Sequence, residues 1–101
     1  MTRTAIHTAD APAAIGIYSQ AIRHGDTVYI SGQLPLDPAT GERPPGGIEA
    51  EIRQVFTNLQ TIAEAAGTHL DHALKVTVFL TDLEHFARVN EVMAQFCSEP
   101  Y

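Results

Sequence analysis

A serine and a glycine behind an apolar segment are the first residues whose types and spacing suggest chemistry. Ser31, Gly32 and Gln33 directly follow residues 28–30. A glycine in a strand marks a bulge or a close approach by a ligand or another backbone, and Ser31 could then direct its hydroxyl into a cleft. Because no histidine or aspartate is an evident partner, Ser31 is not expected to be a triad nucleophile. The alternative is a strand-end serine satisfied by the backbone.

An asparagine near the apolar stripe of the last helical segment is the second candidate. Asn90 lies four residues after Phe86 and three before Met93. A buried amide without hydrogen bonds costs about 1–3 kcal/mol, so a polar side chain here needs partners. Two readings stay open: a buried amide that ties helix to sheet, or an amide that lines a site.

The remaining reactive side chains predict little chemistry. No phosphate loop, G-x-G-x-x-G, G-x-S-x-G or H-E-x-x-H motif occurs in the sequence. Cys97 is the only cysteine and is expected to be a small buried hydrophobe rather than a nucleophile. No metal site is expected from the histidines, which are predicted in turns and at element ends: His7, His24, His69, His72 and His85.

The elements that must position these residues follow from hydrophobic periodicity. Apolar residues recur at helical spacing over 48–66, and Gly67 stands where a helix would end. Strands are predicted over 18–23 and 28–33, with Gly25 and Asp26 in the turn between them. Residues 1–16 predict a short strand or an extended arm, and residues 35–47 a loop.

The C-terminal third predicts one more strand and one more helix. Residues 75–81 are rich in β-branched side chains with apolar groups on both faces, which indicates a central strand. Thr81 and Glu84 then form a capping box for a helix that runs to about Cys97. Its apolar stripe is expected to contain Phe86, Val89, Met93 and Phe96.

The resulting order, ββαβα, predicts one α+β domain over residues 1–101. A strand–helix–strand crossover implies a parallel pairing, so the sheet is expected to be mixed, with both helices on one face. The apolar content of the other face predicts cover from partner subunits. The lack of a signal sequence or apolar span predicts a cytosolic protein without membrane contact.

The charge balance disfavours a nucleic-acid partner. The formal net charge is −6, and the six basic residues are scattered along the chain. Tight binding to a phosphate backbone normally needs clustered lysines and arginines. A nucleic-acid role is therefore not expected.

Seven segments together resemble the Rid family, also called the YjgF-type or reactive-intermediate deaminase family and labelled endoribonuclease L-PSP. The resemblance runs nearly from end to end and preserves the order and spacing of the segments. Ile17 departs from it, because the family usually has proline there. The matching segments are residues 11–21, 28–33, 37–41, 58–59, 65–67, 75–80 and 86–90.

The resemblance implies a chorismate-mutase-like fold and a homotrimer with clefts between subunits. It implies hydrolysis of reactive 2-imino acids, such as 2-iminobutanoate and 2-iminopropanoate, to 2-oxo acids and ammonia without a cofactor. Tyr18, Ser31 and Asn90 are the implied catalytic residues, and Ser31 and Gly32 the implied substrate-binding residues.

The family also carries a carboxylate-binding arginine and a glutamate in two final strands, beyond the position that matches Tyr101. The domain is therefore expected to be incomplete at its C-terminus. Two alternatives accompany the deaminase hypothesis. One is a non-catalytic ring that binds small carboxylates or acts as a chaperone, and the other is an RNA-cleaving inhibitor of translation.

Overall fold

The computed structural model describes residues 2–101. The chain forms strands β1 (Arg3–Ile6), β2 (Ala21–His24) and β3 (Thr27–Ile30), then helix α1 (Gly47–Ala65) and helix α2 (Phe86–Met93). Short 3-10 turns lie at Leu70–His72 and Leu83–His85. The predicted α+β class and the early strands are confirmed, although β2 and β3 are shorter and start at other residues than expected.

The three strands form an antiparallel sheet in the order β1-β2-β3. The turn between β2 and β3 consists of Gly25 and Asp26, as predicted. Gly25 has a φ of 61°, whereas no residue other than glycine has a positive φ among residues 2–101. A positive φ at only the first central residue is the pattern of a type II′ turn, which matches the twist of a hairpin.

Helix α1 holds the two halves of the core together. Its buried Ile62 packs with Ala11 and Ala21 against the sheet. One turn and a half earlier, Phe56 packs with Val92 of α2 in a second cluster. The apolar stripe therefore contacts the sheet with one end and α2 with the other.

The C-terminal end of α1 is the predicted glycine cap. Gly67 has a φ of 86°, and its N–H donates to the carbonyl of Glu64 at 2.9 Å. The N–H of Thr68 donates to the carbonyl of Ala63 at 2.9 Å. These two bonds form a Schellman motif, in which glycine adopts the left-handed conformation without a Cβ penalty.

The predicted strand over residues 75–81 is the main correction to the sequence-based fold. Within residues 2–101 this segment joins no strand ladder, and the sheet is antiparallel rather than mixed. Phe79 is 93% exposed and Val78 is 43% exposed. β-Propensity describes how well side chains suit a pleated, half-buried surface, but a strand also needs a neighbour to accept and donate its hydrogen bonds.

The second helix begins and ends differently from the prediction. Asp82, rather than Thr81, caps the preceding 3-10 turn by accepting the N–H of Glu84 at 2.9 Å. The helix ends at Met93 instead of near Cys97. Val89 and Val92 are its buried residues. An aspartate oxygen next to a first-turn N–H offers an N-cap as good as a threonine one position earlier.

A carboxylate outside the sheet fastens the residues after α2 to the preceding turn. The hydroxyl of Ser98 donates to the Asp71 carboxylate at 2.7 and 2.9 Å, and the Ser98 N–H also donates to it. These bonds lower the pKa of Asp71 below its ordinary value of 3.8, with smaller contributions from His72 and His69. The stabilisation by the charged carboxylate is present above pH 3.8 and is lost as the pH falls through the lowered pKa.

We therefore expect Asp71→Asn to lower the melting temperature at neutral pH and to have progressively less effect in acid. Thermal denaturation followed by circular dichroism between pH 2.5 and 7 measures this difference. Ser98→Ala should produce the same pH dependence, because it removes the hydroxyl donor from the same pair. A difference between Asp71→Asn and the unmodified protein that stays constant across this range would contradict the assignment.

Candidate functional site

An open groove lies between the segment after β1 and the loop after β3. Its volume is about 330 Å³. Tyr18 and Gly32 both line it, so the structure brings these two predicted site residues together. The remaining lining residues are Pro12, Ala13, Ile15, Gln33, Leu34, Leu36, Asp37, Pro38 and Gly41.

The phenol of Tyr18 is available to a ligand. Tyr18 is 49% exposed, and its oxygen accepts the N–H of Ile15 at 3.3 Å. That bond uses a lone pair of the oxygen and leaves the hydroxyl proton free to point into the groove. Tyr18 can therefore donate a hydrogen bond to a bound molecule.

The hydroxyl of Ser31 has a different orientation. It donates to the carbonyl of Ser19 at 2.6 Å, while the Ser31 N–H donates to the carbonyl of Gln20 at 3.0 Å. The backbone-satisfied alternative is thus the one seen in the structure. The oxygen of Ser31 retains lone pairs, so it can accept a hydrogen bond but has its proton engaged.

Gly32 lies beyond the end of β3, so the strand bulge, one of the two alternatives for this glycine, is not present. A Cβ built on Gly32 would meet no atom within 4 Å, and its φ lies outside the left-handed region. Neither folding strain nor packing within the protomer requires glycine at this position. Gly32 is nevertheless one of the residues that line the groove.

Asn90 does not join these residues within one protomer. It is exposed on α2 and is not among the residues that line the groove. The hypothesis of a buried amide tying helix to sheet is therefore wrong. The reason is the rotation of α2 about its axis. Val89 and Val92 face the core, so Asn90 lies on the opposite side of the helix.

Two buried amides were missed by sequence reasoning. Gln20 is 2% exposed and Asn58 is 1% exposed, and no other polar residue among 2–101 is buried. The signal for Asn58 was its place four residues before Ile62 in the helical stripe. The signal for Gln20 is weaker, because the sequence predicts residues 18–20 as part of a strand.

The histidines and the cysteine make no reactive cluster in the described residues. His69 and His72 lie edge to face, with ring centroids 6.2 Å apart. Among residues 2–101, no three His, Cys, Asp or Glu side chains are arranged to hold a metal. Burial raises the pKa of the Cys97 thiol, as does the nearby Asp71 carboxylate. Cys97 packs against the core, as expected for a small hydrophobe.

Comparison with known families identifies the group of proteins to which these features belong. Residues 8–101 match the model of the family described as Endoribonuclease L-PSP. The chain belongs to this family, the Rid family. The resemblance expected from the sequence is thereby confirmed.

Individual Rid relatives are identical to this chain at about half of the aligned positions. The RutC family protein y4sK of Sinorhizobium fredii is 53% identical over 96 residues, which is 95% of this chain and 76% of that protein. The protein named 2-iminobutanoate/2-iminopropanoate deaminase of Bos taurus is 48% identical, over 95% of this chain and 70% of its own length.

Solved Rid structures have the same fold. RidA from the Antarctic bacterium Psychrobacter sp. PAMC 21119 superposes with a TM-score of 0.91 at 52% identity, covering 97% of this chain and 79% of that chain. E. coli TdcF, solved with bound serine, superposes with a TM-score of 0.86 at 43% identity, covering 92% of this chain and 72% of that chain. The Rid fold predicted from the sequence is confirmed.

Four of the six basic side chains of this Rid protein are engaged away from the groove. Arg23 donates to the carbonyl of Ala66, and Arg53 donates to Gln95 at 2.7 Å. Two further arginines form exposed ion pairs, Arg43 with Glu51 at 3.7 Å and Arg88 with Glu91 at 3.4 Å. None of the basic residues of 2–101 lines the groove, whose polar and charged lining residues are Tyr18, Gln33 and Asp37.

Across residues 2–101 no helix is both long and apolar enough to cross a membrane.

Proposed function

We propose that this protein hydrolyses small 2-imino acids to 2-oxo acids and ammonia. The observation that carries the proposal is the 48% identity, over 95% of the chain, to a protein named 2-iminobutanoate/2-iminopropanoate deaminase. The groove with Tyr18 and Gly32 supports it, because it offers polar groups beside apolar side chains. The cytosolic location stays a prediction from the sequence.

The chemistry asks little of the protein. Water adds through its oxygen to the imine carbon, the C–N bond then breaks, and the nitrogen leaves as ammonia after taking up protons. The oxygen of the water becomes the oxo group. A positioned water, a proton donor for the nitrogen and a binding site for the carboxylate are sufficient, so the step needs no cofactor.

The orientations of the side chains suggest distinct roles in this step. Tyr18 donates a hydrogen bond or a proton toward the imine nitrogen, because its proton has no acceptor among residues 2–101. Ser31 is not itself a groove-lining residue but directly precedes Gly32, which is. Because its own proton is held by Ser19, its oxygen is assigned to accept a hydrogen bond from the attacking water or from the iminium. The substrate lies over the backbone of Gly32.

The serine bound to E. coli TdcF supports a ligand of amino-acid size. An arginine in a segment following the residue that matches Tyr101, as the resemblance implies, would complete the carboxylate site with two parallel hydrogen bonds.

We also propose that the protein works as a homotrimer whose clefts lie between subunits. Phe79, Val78 and Val76 form an exposed apolar run that suits an interface, with Phe79 the most exposed. Asn90, which is exposed and outside the groove of its own protomer, would then reach the site of a neighbour.

The oligomer is testable by native mass spectrometry. We expect a species of three protomers, each of at least 10.9 kDa. Phe79→Lys should shift the population toward single protomers, because it places a charge in an apolar interface. The control is Tyr29→Lys, a substitution on the exposed face of β3. A single protomer at micromolar concentration for the unmodified protein would refute the trimer.

The test of the proposed activity begins with the intact mass of the purified protein, which establishes whether the polypeptide is longer than 10.9 kDa. The same sample is then given 2-iminobutanoate, generated in situ, and ammonia release is compared with the uncatalysed rate. Acceleration supports the deaminase. Binding of 2-oxobutanoate without acceleration would instead indicate a non-catalytic carboxylate-binding protein, and RNA retention that weakens steeply with salt would indicate the nucleic-acid alternative.

Gly32→Ala is expected to leave the fold intact and to lower kcat/KM for the imine by about tenfold or more. The fold should tolerate it because an added Cβ meets no atom of the protomer. The activity should fall because the methyl group occupies groove space next to the substrate; misplacement by about 1 Å costs on the order of 10²-fold. Melting temperature and steady-state kinetics measure the two effects. Unchanged kinetics would place the substrate elsewhere.

A further inference from the structure

Two buried amides each hold one wall of the groove, and we infer that Gln20 and Asn58 are the positioning residues of this site. They are the only buried polar side chains among residues 2–101. Each donates hydrogen bonds to backbone carbonyls of one segment that contributes to the groove lining. The effect of these two residues on catalysis rests on the proposed function, whereas their effect on the groove walls does not.

Gln20 fixes the wall that carries Tyr18. Its carbonyl oxygen accepts the N–H of Thr8 at 2.7 Å. Its amide nitrogen donates to the carbonyls of Thr8 at 3.0 Å, Ala11 at 3.3 Å and Pro12 at 2.9 Å. One side chain thus closes a 12-residue loop onto the start of β2, and Pro12 and Tyr18 of that loop face the groove.

Gln20 also links this wall to Ser31. Its backbone carbonyl accepts the N–H of Ser31 at 3.0 Å, and the carbonyl of the preceding Ser19 accepts the Ser31 hydroxyl at 2.6 Å. A shift of residues 19–20 would therefore move the Ser31 oxygen as well as the loop that leads to Tyr18.

Asn58 fixes the opposite wall from α1. Its amide nitrogen donates to the carbonyls of Leu34 at 3.3 Å and Leu36 at 2.9 Å, and both leucines line the groove. Its oxygen accepts a hydrogen bond from the Gln54 amide at 2.9 Å. That bond sets the orientation of the Asn58 amide in which its nitrogen points at the loop after β3. Residues 33–38 contain no strand or helix, so these bonds replace the regular structure that the wall lacks.

Placing the restraints on amides has a physical reason. A glutamine or asparagine amide supplies donors and an acceptor at once, so a single buried side chain can satisfy several backbone groups of an irregular loop. An apolar residue of the same size would fill the space but would leave those carbonyls and N–H groups without partners. The walls would then be free to change their separation.

The test compares three variants of the full chain by amide hydrogen exchange and by kinetics with 2-iminobutanoate. Gln20→Met and Asn58→Leu give apolar side chains of similar shape and remove the hydrogen bonds. Val92→Ala, in the core between the helices and outside the groove, is the matched control for lost stability. Should Gln20→Met not fold, Asn58→Leu provides the test on the second wall.

We expect Gln20→Met to raise exchange of Thr8 and of residues 13–19, and Asn58→Leu to raise exchange of residues 33–41, each leaving the other wall unchanged. Both should lower kcat/KM by tenfold or more, whereas Val92→Ala should change it less than twofold at a similar loss of melting temperature. Two results would overturn the inference. One is amide exchange in Gln20→Met and Asn58→Leu that rises evenly over the chain, as in Val92→Ala. The other is an unchanged kcat/KM in both variants. If the unmodified protein does not hydrolyse the imine, the proposed function fails, and the exchange pattern still decides whether the amides hold the walls.

Discussion

Tyr18→Phe is expected to lower kcat/KM for 2-iminobutanoate hydrolysis by about 10²-fold, the lower end of what a positioned acid or base contributes. Within residues 2–101 the phenol is the only side-chain hydroxyl that lines the groove, and its proton has no acceptor there. Phenylalanine keeps the ring and removes that donor. The loss should appear mainly in kcat, because the proton is needed most when the nitrogen departs.

The same substitution should barely affect stability. Tyr18 is 49% exposed and accepts a hydrogen bond from the N–H of Ile15. Ile15 is also exposed, so its N–H can donate to water instead. Such surface changes are usually within about 0.5 kcal/mol. Tyr29→Phe is the matched control, because Tyr29 is 67% exposed on β3 and does not line the groove. Equal kinetics for the two variants would remove Tyr18 from the mechanism.

Phe56→Ala is expected to cost about 3–5 kcal/mol of unfolding free energy, as large truncations in a core do. Phe56 is 3% exposed and stacks on Phe96, with ring centroids 5.6 Å apart. It also belongs to the cluster that joins α1 to α2. Alanine would leave a cavity there that neighbouring helices can close only in part, because each is also held by other contacts.

Chemical denaturation with urea measures this loss at equilibrium. Since a domain of this size has about 5–15 kcal/mol of stability, the variant should unfold at a much lower urea concentration. Phe86→Ala provides the control, because Phe86 is 62% exposed at the start of α2 and should lose little. Similar losses for both variants would mean that the core between the helices does not dominate the stability.

Local chemistry along the chain was sufficient to predict several elements. The stripe of α1 and its glycine cap were predicted because helical periodicity and the left-handed conformation of Gly67 depend only on neighbouring residues. The turn at Gly25 and Asp26 was predicted for the same reason. The Rid resemblance was also readable, since it rests on the order and spacing of residues.

Contacts between distant segments decided what these patterns could not. The strand predicted over residues 75–81 needs a neighbouring strand, and β-propensity does not supply one. Whether Asn90 faces inward depended on how α2 rotates when Val89 and Val92 enter the core. A stripe of apolar residues leaves that rotation uncertain by about one position.

In the candidate site, too, the sequence predicted some features and only the tertiary structure showed others. Sequence alone placed Tyr18, Ser31 and Gly32 on neighbouring segments, and the structure brought Tyr18 and Gly32 into one groove. Only the tertiary structure showed that the Ser31 proton is engaged and that Gln20 and Asn58 hold the walls. The physical reason is that hydrogen bonds across 12 to 24 residues depend on packing, whereas turns and helical stripes are determined by residues a few positions apart.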